Sequence, residues 1–443
     1  MDDRTKRYAE TLAQMIRKET VSTGCDPADP KFHEFRDLLA EWFPNIFGAC
    51  EIKEFPDGLV LHWKGTDRDM LPVVFMNHHD VVEATGDWSH DPFSGDIDGE
   101  KIWGRGTLDD KGGLWAMFQA ADELAAEGFA PSRDVWFSSA STEETTGKGA
   151  DEISQWFLEN GVKFEMCFDE GGMILYDPIG GANGTFAVIG VGEKGCADLK
   201  FIARSKGGHA SDPPKNTPLV RLGKFMAAVE RSSIFETDLS PTVCEMLRRF
   251  APYMGKFEKV LRTPERFAPI LKKVVPNMSS AAAAMLRTTV AFTMAQGSGG
   301  TNVIPQEAWV VGNMRFSHHQ GREASFRAIE RIAKRYDIEM EVMDPGYESR
   351  ISDYNGPAFK LTERAVGEVF PGVVSVPYIM TGASDARYFD RVCDQCIRFL
   401  PFEISDEQLS SIHGIDECLD IRTLAKAVDY YKFLMREVQH EQR

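Results

Sequence analysis

Apolar residues in the first half of the chain form short continuous runs, separated by longer stretches at helical spacing. A short run of this kind predicts a strand that is covered on both faces. Residues 3–18 have the spacing of a surface helix, and Gly128 closes another predicted helix. Strand, helix, strand, helix and strand are predicted in turn at 71–76, 114–127, 135–141, 150–160 and 164–168. This alternation predicts an α/β sheet.

The pattern changes after Glu193. The next elements suit a small α+β domain with one layer of helices on a sheet. Its strands are predicted at 199–204, 308–316 and 338–342, and its helices at 219–231 and 323–336. Short helical pieces interrupt this domain and predict a helical insertion at about 235–289. From 344 onward the α/β character returns, and it ends in a helix at 422–438.

Two domains are the natural expectation, because a chain of 443 residues exceeds the size at which one hydrophobic core usually stops growing. The larger domain is predicted to consist of two parts, residues 1–192 and residues 344–443. The smaller domain, residues 193–343, is predicted to be inserted between them and to carry the helical insertion.

The composition excludes several classes of partner. A formal charge of −18 argues against nucleic acid and anionic membranes, because like charges repel. The charged amino terminus lacks the apolar core of a secretory signal, and no run of eighteen apolar residues predicts a membrane span. Eight cysteines in so long a chain do not suggest a disulfide scaffold. We therefore predict a soluble, cytoplasmic protein.

Side chains that could bind metal follow each of the three strands predicted in the first half of the chain. In open α/β sheets, ligands bind beyond the carboxyl ends of the strands. The sequence therefore predicts that these side chains form a single metal site. They are His78-His79-Asp80, Glu143-Glu144 and Asp169-Glu170.

Alternation along an extended segment separates the neighbours in two of these groups. His78 and Asp80 are predicted to point the same way, so that Asp80 can fix the tautomer of His78, while His79 points away and packs. Glu143 and Glu144 end an apolar strand, where one can bind metal and the other can take a proton from a metal-bound water. We assign Glu144 as the ligand and Glu143 as the general base.

Two further candidates lie outside the strand ends. Asp109 lies in a glycine-punctuated turn before the helix at 114–127, and it could either bridge two cations or cap that helix. His413 lies just before the final helix. A lone histidine there is usually structural, but a second metal would otherwise have too few ligands.

Taken together, nine segments in order resemble the M20 family of metallopeptidases, and most closely its carboxypeptidase S-like branch. Each segment alone is a weak or moderate signal, whereas nine in family order are very specific. The segments are HHDVV (78–82), W..DPFSG (88–95), WGRGTLDDKGG (103–113), TEETTGKG (142–149), DEGG (169–172), GGHASDPP (207–214), GGTNVIP (299–305), GASDAR (382–387) and HGIDE (413–417).

The resemblance implies a zinc-peptidase-like α/β/α sandwich with an inserted ferredoxin-like lid domain that mediates dimerisation. It also implies two Zn²⁺ ions, for which Mn²⁺ or Co²⁺ could substitute. One ion would be held by His78 and Glu170, the other by Glu144 and His413, with Asp109 bridging. Asp80 would orient His78, and Glu143 would be the general base.

The same resemblance implies how substrate would be bound. His209 of the lid would polarise the scissile carbonyl, commonly in the partner copy of a homodimer. The other positions that it implies for substrate contact are Asn302, Arg315 and Gly382, and the forked donors of Arg315 suit a carboxylate.

The predicted reaction is hydrolysis of an amide bond through a metal-bridging water activated by Glu143. The substrate would be a dipeptide, a C-terminal residue or an N-acyl amino acid, so peptidase and aminoacylase activity both remain open. A non-catalytic metal-binding homologue is a further alternative, although such a protein need not retain the base. A binuclear phosphoesterase ranks below both.

Overall fold

The computed structural model describes residues 2–24, 29–277 and 280–440. In these ranges, the α-helices are α1 (Asp3–Ile16), α2 (Pro30–Trp42), α3 (Pro44–Ala49), α4 (Lys111–Ala126), α5 (Lys148–Glu159), α6 (Pro218–Arg231), α7 (Pro241–Phe250), α8 (Glu258–Leu261), α9 (Ala268–Val274), α10 (Ser280–Leu286), α11 (Gly321–Arg335), α12 (Pro357–Val369), α13 (Ala386–Phe389), α14 (Asp406–Ser411) and α15 (Ile421–Glu437).

The strands are β1 (Glu51–Phe55), β2 (Gly58–Trp63), β3 (Val73–Met76), β4 (Asp96–Ile97), β5 (Lys101–Trp103), β6 (Val135–Ala140), β7 (Met166–Tyr176), β8 (Thr185–Glu193), β9 (Gly195–Arg204), β10 (Gly208–His209), β11 (Thr289–Gln296), β12 (Val303–Ile304), β13 (Glu307–Phe316), β14 (Glu339–Tyr347), β15 (Val374–Met380), β16 (Cys396–Ile404) and β17 (Cys418–Asp420).

Among the described residues, the largest sheet has eight strands in the order β1-β2-β6-β3-β7-β16-β8-β15. Its centre is parallel, because β3 pairs in parallel with β6 and β7, and β16 pairs in parallel with β7. The pairs β1–β2 and β2–β6 are antiparallel, so the sheet is mixed. The parallel centre confirms the α/β class, and it turns the carboxyl ends of β3, β6 and β7 toward the same edge.

Both faces of this sheet are covered, as the apolar run of β3 predicts. Val73 and Phe75 face a core shared with α1, α4, α12 and α15. Val74 and Met76 face the opposite core, which α5 and α13 contribute. The alternation of adjacent side chains across one buried strand therefore makes a three-layer α/β/α arrangement.

A second sheet has four strands in the order β11-β13-β9-β14, all antiparallel among the described residues. Helices α6 and α11 pack on it through side chains such as Phe225 and Ile329. In chain order the elements run β9, α6, β11, β13, α11, β14, which is the βαββαβ order of a ferredoxin-like unit. The inserted α+β unit is therefore consistent with the predicted ferredoxin-like domain.

The segment between α6 and β11 is helical, with α7–α10 joined by short 3-10 turns. Met246 and Phe250 of α7 are buried with Phe186 and Val376, which belong to β8 and β15 of the large sheet. The helical segment therefore covers the edge of the eight-stranded sheet. In the described part of the chain, no helix is long and apolar enough to cross a membrane.

One predicted strand end is wrong. The motif DEGG was expected to follow the third strand, but β7 continues through it to Tyr176. The pairing with β16 shifts between Asp169 and Gly172, and Gly171 has a positive φ of 141°. A bulge with glycine lets the strand change direction locally and then resume its pairing.

Candidate metal centre

His78 follows β3 and is almost fully buried. Its Nε2 atom lies 3.0 Å from Oδ1 of Asp109, and its Nδ1 atom lies 3.0 Å from the backbone oxygen and 3.3 Å from Oδ1 of Asp80. His79 turns the other way, with its Nδ1 2.8 Å from the hydroxyl of Ser139. The two neighbouring imidazoles therefore face different surroundings, and only His78 faces the cluster of acids.

Asp109 lies at the centre of this cluster. One carboxylate oxygen faces His78, and the other lies 3.1 Å from Nε2 of His413, which is also 3.1 Å from Oε2 of Glu144. One ligand atom each of His78, Asp109 and Glu144 lie within 4.8 Å of one another. Asp109 thus faces His78 through one oxygen and His413, which also contacts Glu144, through the other.

Asp80 holds the segment that carries both glutamates. Its carboxylate accepts hydrogen bonds from the backbone N–H of Glu143 at 3.2 Å and of Glu144 at 3.1 Å, and from the hydroxyl of Ser22 at 2.7 Å. The expectation that the glutamates alternate on a strand is wrong. They lie in a turn whose later amides donate to the backbone oxygen of Thr142, and both line one cleft.

Arg387 contacts Glu143, a role that the sequence pattern does not predict. Nη1 of Arg387 lies 3.3 Å from Oε1 of Glu143, and both side chains are largely buried. The guanidinium carbon also lies 5.0 Å and 4.8 Å from the ring centres of Tyr347 and Tyr388. The available signal was the GASDAR segment, in which only Gly382 had been assigned.

Adjacent acids on β7 have different environments. Asp169 is buried, and its Oδ2 accepts a hydrogen bond of 2.6 Å from the backbone N–H of Ala386. Glu170 lines the same cleft as Asp109, Glu143 and Glu144. Of the two neighbours, Glu170 is therefore the one available to a cation in the cleft.

Asp110 contacts the backbone of the segment that carries His78. Its Oδ2 accepts a hydrogen bond of 3.1 Å from the backbone N–H of His78. It occupies the N-cap position of α4 but makes no capping hydrogen bond there. A Cβ atom added at Gly113 would collide with the side chain of Asp110, so glycine at this position lets the helix approach the loop.

Burial and mutual repulsion dominate the ionisation of these carboxyl groups. Burial, and then the charge of Asp109, raise the pKa of Glu144 to about 6. Burial opposes ionisation of Asp109 too, but hydrogen bonds from His413 and His78 hold its pKa below the usual value. Burial first, with repulsion from neighbouring carboxylates, raises the pKa values of Asp110, Glu143 and Glu170 well above the usual value.

Neighbouring acids stabilise both imidazoles as cations, and Asp109 contributes to each. Hydrogen bonds that His413 donates to Asp109 and Glu144 raise its pKa to about 10. Burial disfavours the charged form of His78, yet Asp109 and Asp80 raise its pKa well above the usual value. The protons on these two imidazoles therefore balance carboxylate charge that a bound cation would also neutralise.

The donor set fits a pair of divalent cations. Zinc takes imidazole nitrogen and carboxylate oxygen, and a bridging carboxylate is suited to two ions. Oε1 of Glu144 is buried and has no hydrogen-bond partner among the described residues, so it is a free acceptor at the cluster. The residues that fit are His78, Asp109, Glu144, Glu170 and His413.

These side chains open into a cleft of about 930 Å³. Arg315 and Gly382 line it, as the resemblance had implied for substrate contacts. Arg315 lies on β13 of the four-stranded sheet, and its Nε donates a 3.1 Å hydrogen bond to Asn313. Residues of both sheets therefore line the cleft, and the four-stranded sheet contributes the guanidinium of Arg315.

His209 and Asn302 do not line this cleft. Both are exposed, and they lie near each other at the two-stranded β10–β12 ribbon, where the N–H of Ala210 donates to the backbone oxygen of Asn302 at 2.9 Å. His209 contacts the hydroxyl of Ser211. Within one copy of the chain, the structure therefore does not bring these two residues to the acids.

Residues 74–437 match the model of peptidase family M20/M25/M40, which is most of the chain. The chain belongs to this family and is a metal-dependent hydrolase.

Individual relatives and a solved structure agree with this family and with the observed fold. The chain is 30% identical to a probable carboxypeptidase S-like 2 of Dictyostelium discoideum, over 97% of this chain and 85% of that protein. It is also 30% identical to the human N-fatty-acyl-amino acid synthase/hydrolase PM20D1, over 97% and 87% of the two chains. The M20 family metallo-carboxypeptidase Sso-CP2 of Sulfolobus solfataricus has a similar fold, with a TM-score of 0.72 and 17% identity over 98% and 99%.

Proposed function

We propose that this chain is a two-zinc amidohydrolase that cleaves the amide bond of a dipeptide, a C-terminal residue or an N-acyl amino acid. One observation carries the proposal. Asp109 lies between His78 on one side and the His413–Glu144 pair on the other, and Glu143 lines the same cleft. A bridging acid with an adjacent glutamate is the arrangement that two-metal hydrolysis requires.

In this proposal His78 and Glu170 would hold one zinc, Glu144 and His413 would hold the other, and Asp109 would be a ligand of both. Bound zinc would polarise the amide carbonyl and lower the pKa of the attacking water. Asp80 keeps the Nε2 atom of His78 directed at the site through its contact with Nδ1.

Glu143 transfers the proton in this proposal. Its carboxylate takes a proton from the attacking water and gives that proton to the amine nitrogen as the carbon–nitrogen bond breaks. Arg387 contacts Oε1 of Glu143, which leaves Oε2 as the oxygen for this transfer. The turn that Asp80 ties down fixes the position of the base relative to the ligand Glu144.

Substrate recognition is proposed for Arg315 and Gly382, which also line the cleft. Arg315 would pair with the carboxylate of the product amino acid through two parallel hydrogen bonds. Gly382 would let the substrate backbone approach, because a Cβ atom there would project into open space that the substrate could otherwise occupy. His209 and Asn302 would reach the substrate from the partner copy of a homodimer, because in their own chain they lie away from this cleft.

Aminoacylase-like activity is the second candidate. Its specific support is a group of apolar side chains beside the acids in the cleft, which offer a surface to an acyl chain. These side chains are Leu108, Met173, Met380 and Ile412. One relative of this chain carries the name of an N-fatty-acyl-amino acid synthase/hydrolase, and another that of a carboxypeptidase, so names alone do not choose between the activities.

The Glu143→Gln variant tests the mechanism. We expect kcat to fall about 10²–10⁴-fold, which is the usual contribution of general acid–base catalysis. Metal content, measured by atomic emission, should stay at two ions per chain. Full activity in a metal-loaded Glu143→Gln variant would contradict the proposal, whereas a wild-type protein that binds two zinc ions without turnover would support the non-catalytic alternative.

Purified wild-type protein assayed on dipeptides and on N-acyl amino acids of increasing chain length separates the two activities. Higher kcat/KM on long acyl chains would favour the aminoacylase-like candidate, and higher kcat/KM on dipeptides would favour the peptidase.

A further inference from the structure

A fully buried ion pair joins two of the loops that carry the proposed ligands. Nη1 of Arg105 lies 2.6 Å from Oε2 of Glu417, and the side chains are 1% and 0% exposed. Arg105 precedes Asp109 on one loop, and Glu417 follows His413 on the other. The proposed mechanism assigns no role to either residue.

The second oxygen of Glu417 binds the backbone of the Asp109 loop. Oε1 accepts hydrogen bonds from the N–H groups of Gly106 at 3.1 Å, Leu108 at 2.8 Å and Asp109 at 3.2 Å. Hydrogen bonds to an ionised acceptor are among the stronger ones in proteins. One carboxylate thus fixes the backbone from which the proposed bridging ligand projects.

Arg105 contacts the backbone of the His413 loop. Its Nη2 donates to the backbone oxygen of Gly414 at 2.7 Å, and that residue follows His413 directly. A longer contact of 3.4 Å reaches the backbone oxygen of Glu83, beyond the loop that carries His78. The Arg105–Glu417 pair therefore contacts the segments that carry all three of His78, Asp109 and His413.

The His413 loop needs such support because its backbone is unfavourable. His413 and Asp416 have positive φ angles of 60° and 57°, in the left-handed region that non-glycine residues rarely adopt. Two contacts hold the loop in this shape: Gly414 accepts from Arg105, and Asp416 accepts from the backbone N–H of Ser89 at 2.7 Å.

We propose that Glu417 and Arg105 are positioning residues that set the affinity for the ion held by Glu144 and His413. This inference rests on the proposed metal site. The distance of 3.1 Å between Nε2 of His413 and Oδ2 of Asp109 depends on the relative position of two loops, and this ion pair fixes that position. Neither residue belongs to the proposed ligand set or lines the cleft.

The test measures zinc binding without substrate. Metal-free Glu417→Gln protein is titrated with zinc in competition with a chromophoric chelator. We expect the affinity of one of the two zinc ions to fall about 10–100-fold, which is typical when a group supporting a ligand is lost. The other ion should lose less, because Glu417 does not contact the backbone of His78 or Glu170.

A matched control separates positioning from the general cost of breaking a buried ion pair. Glu193 and Arg398 form another fully buried pair, 3.2 Å apart, whose hydrogen bonds reach neither the Asp109 loop nor the His413 loop. Glu193→Gln should lower the thermal midpoint of the metal-free protein and leave the affinity for the ion held by Glu144 and His413 unchanged. Arg105→Lys keeps the charge but loses the forked contacts, and it serves if Glu417→Gln does not fold.

Unchanged affinity for both ions in folded Glu417→Gln or Arg105→Lys protein would overturn the inference, as would an equal loss in Glu193→Gln. The readout is independent of turnover. A wild-type protein that binds two zinc ions but hydrolyses no substrate would refute the proposed function and leave this inference intact.

Discussion

The proposed metal ligands and the proposed substrate contacts differ in how the fold holds them. The side chains of the proposed ligands His78 and Glu144 are 1% and 4% exposed, beyond carboxyl strand ends of the eight-stranded sheet. His209 and Asn302 are exposed at a two-stranded ribbon and do not line the cleft. In the proposed mechanism, one chain would therefore supply the whole metal site, whereas His209 and Asn302 would act from a second copy.

Arg315 is intermediate between these groups. It belongs to the four-stranded sheet, yet it lines the cleft of its own chain. The comparison therefore predicts a graded loss of activity. Loss of a metal ligand should lower activity most, loss of a contact from the partner copy less, and loss of one carboxylate contact least.

The largest effect is expected for the residue at the centre of the metal site. Asp109→Ala removes the carboxylate that faces both groups of ligands, and metal ions contribute several kcal/mol to such reactions. At 1.36 kcal/mol per factor of ten, activity should fall on the order of 10³-fold or more, with loss of bound zinc by atomic emission. Chelation of the wild-type protein should reproduce this loss, and added zinc should reverse it.

Asp96→Asn is the control, because Asp96 pairs with His90 on the surface, and it should keep activity and metal. Two tightly bound zinc ions and normal turnover in Asp109→Ala would show that the metals lie elsewhere.

The convergence of strand ends could be predicted from sequence because it depends on local patterns. The apolar runs at 71–76 and 135–141 locate β3 and β6, and acids and imidazoles that follow parallel strands meet at one edge. The alternation that separates His78 from His79 is equally local. The structure places these residues accordingly, with His78 facing the acids and His79 facing Ser139.

Other features depended on contacts between distant segments, which periodicity does not reveal. The turn that carries Glu143 and Glu144 is held by Asp80, more than 60 positions earlier in the chain. Arg387 meets Glu143 only because α13 packs beside α5. The strand β16 was not predicted, and it buries Arg398, whose charge is balanced by Glu193 on β8.

The second prediction tests whether His209 acts in the partner copy. His209→Ala should lower kcat about 10²–10³-fold, which is typical for loss of one donor to a developing oxyanion. Metal content should not change, because His209 lies away from the ligands. Mixed with inactive Glu143→Gln protein, it should regain roughly a quarter of wild-type activity, since half of randomly formed dimers then have one complete site.

No recovery on mixing, together with dimers detected by light scattering, would mean that His209 acts within its own chain or not at all. Ser211→Ala, which alters the hydroxyl beside His209 on the exposed ribbon, is the control for local disturbance and should keep most of the activity.

The third prediction concerns Arg315. Arg315→Lys keeps the charge but loses the planar fork, so KM should rise about tenfold with little change in kcat. Substrates in which the carboxylate is replaced by an amide should bind the wild-type protein weakly, and the variant should show no further loss on them. Arg331→Lys on the exposed side of α11 is the matched control. An equal rise in KM for the amide substrates would place Arg315 outside the carboxylate contact.

The smallest effect is expected on the stability of the metal-free protein as a function of pH. The pKa of His413 is raised to about 10 by Asp109 and Glu144, above its unfolded value of about 6.5. The folded state therefore binds this proton more tightly, and the resulting stability is complete below pH 6.5 and is lost as the pH rises through 10. The imidazole is 51% exposed, so solvent screens much of the effect.

Calorimetry of metal-free protein between pH 7 and 10 should therefore show a fall in thermal midpoint on the order of 2 °C from this group, and His413→Gln should remove that part of the fall. Zinc must displace the same proton, so zinc affinity should rise over the same range. A wild-type midpoint that rises with pH more steeply than that of His413→Gln would show that Asp109 and Glu144 do not hold the proton on His413. In that case these acids would not help to hold His413 in the metal site, and the site would differ less from the exposed substrate contacts.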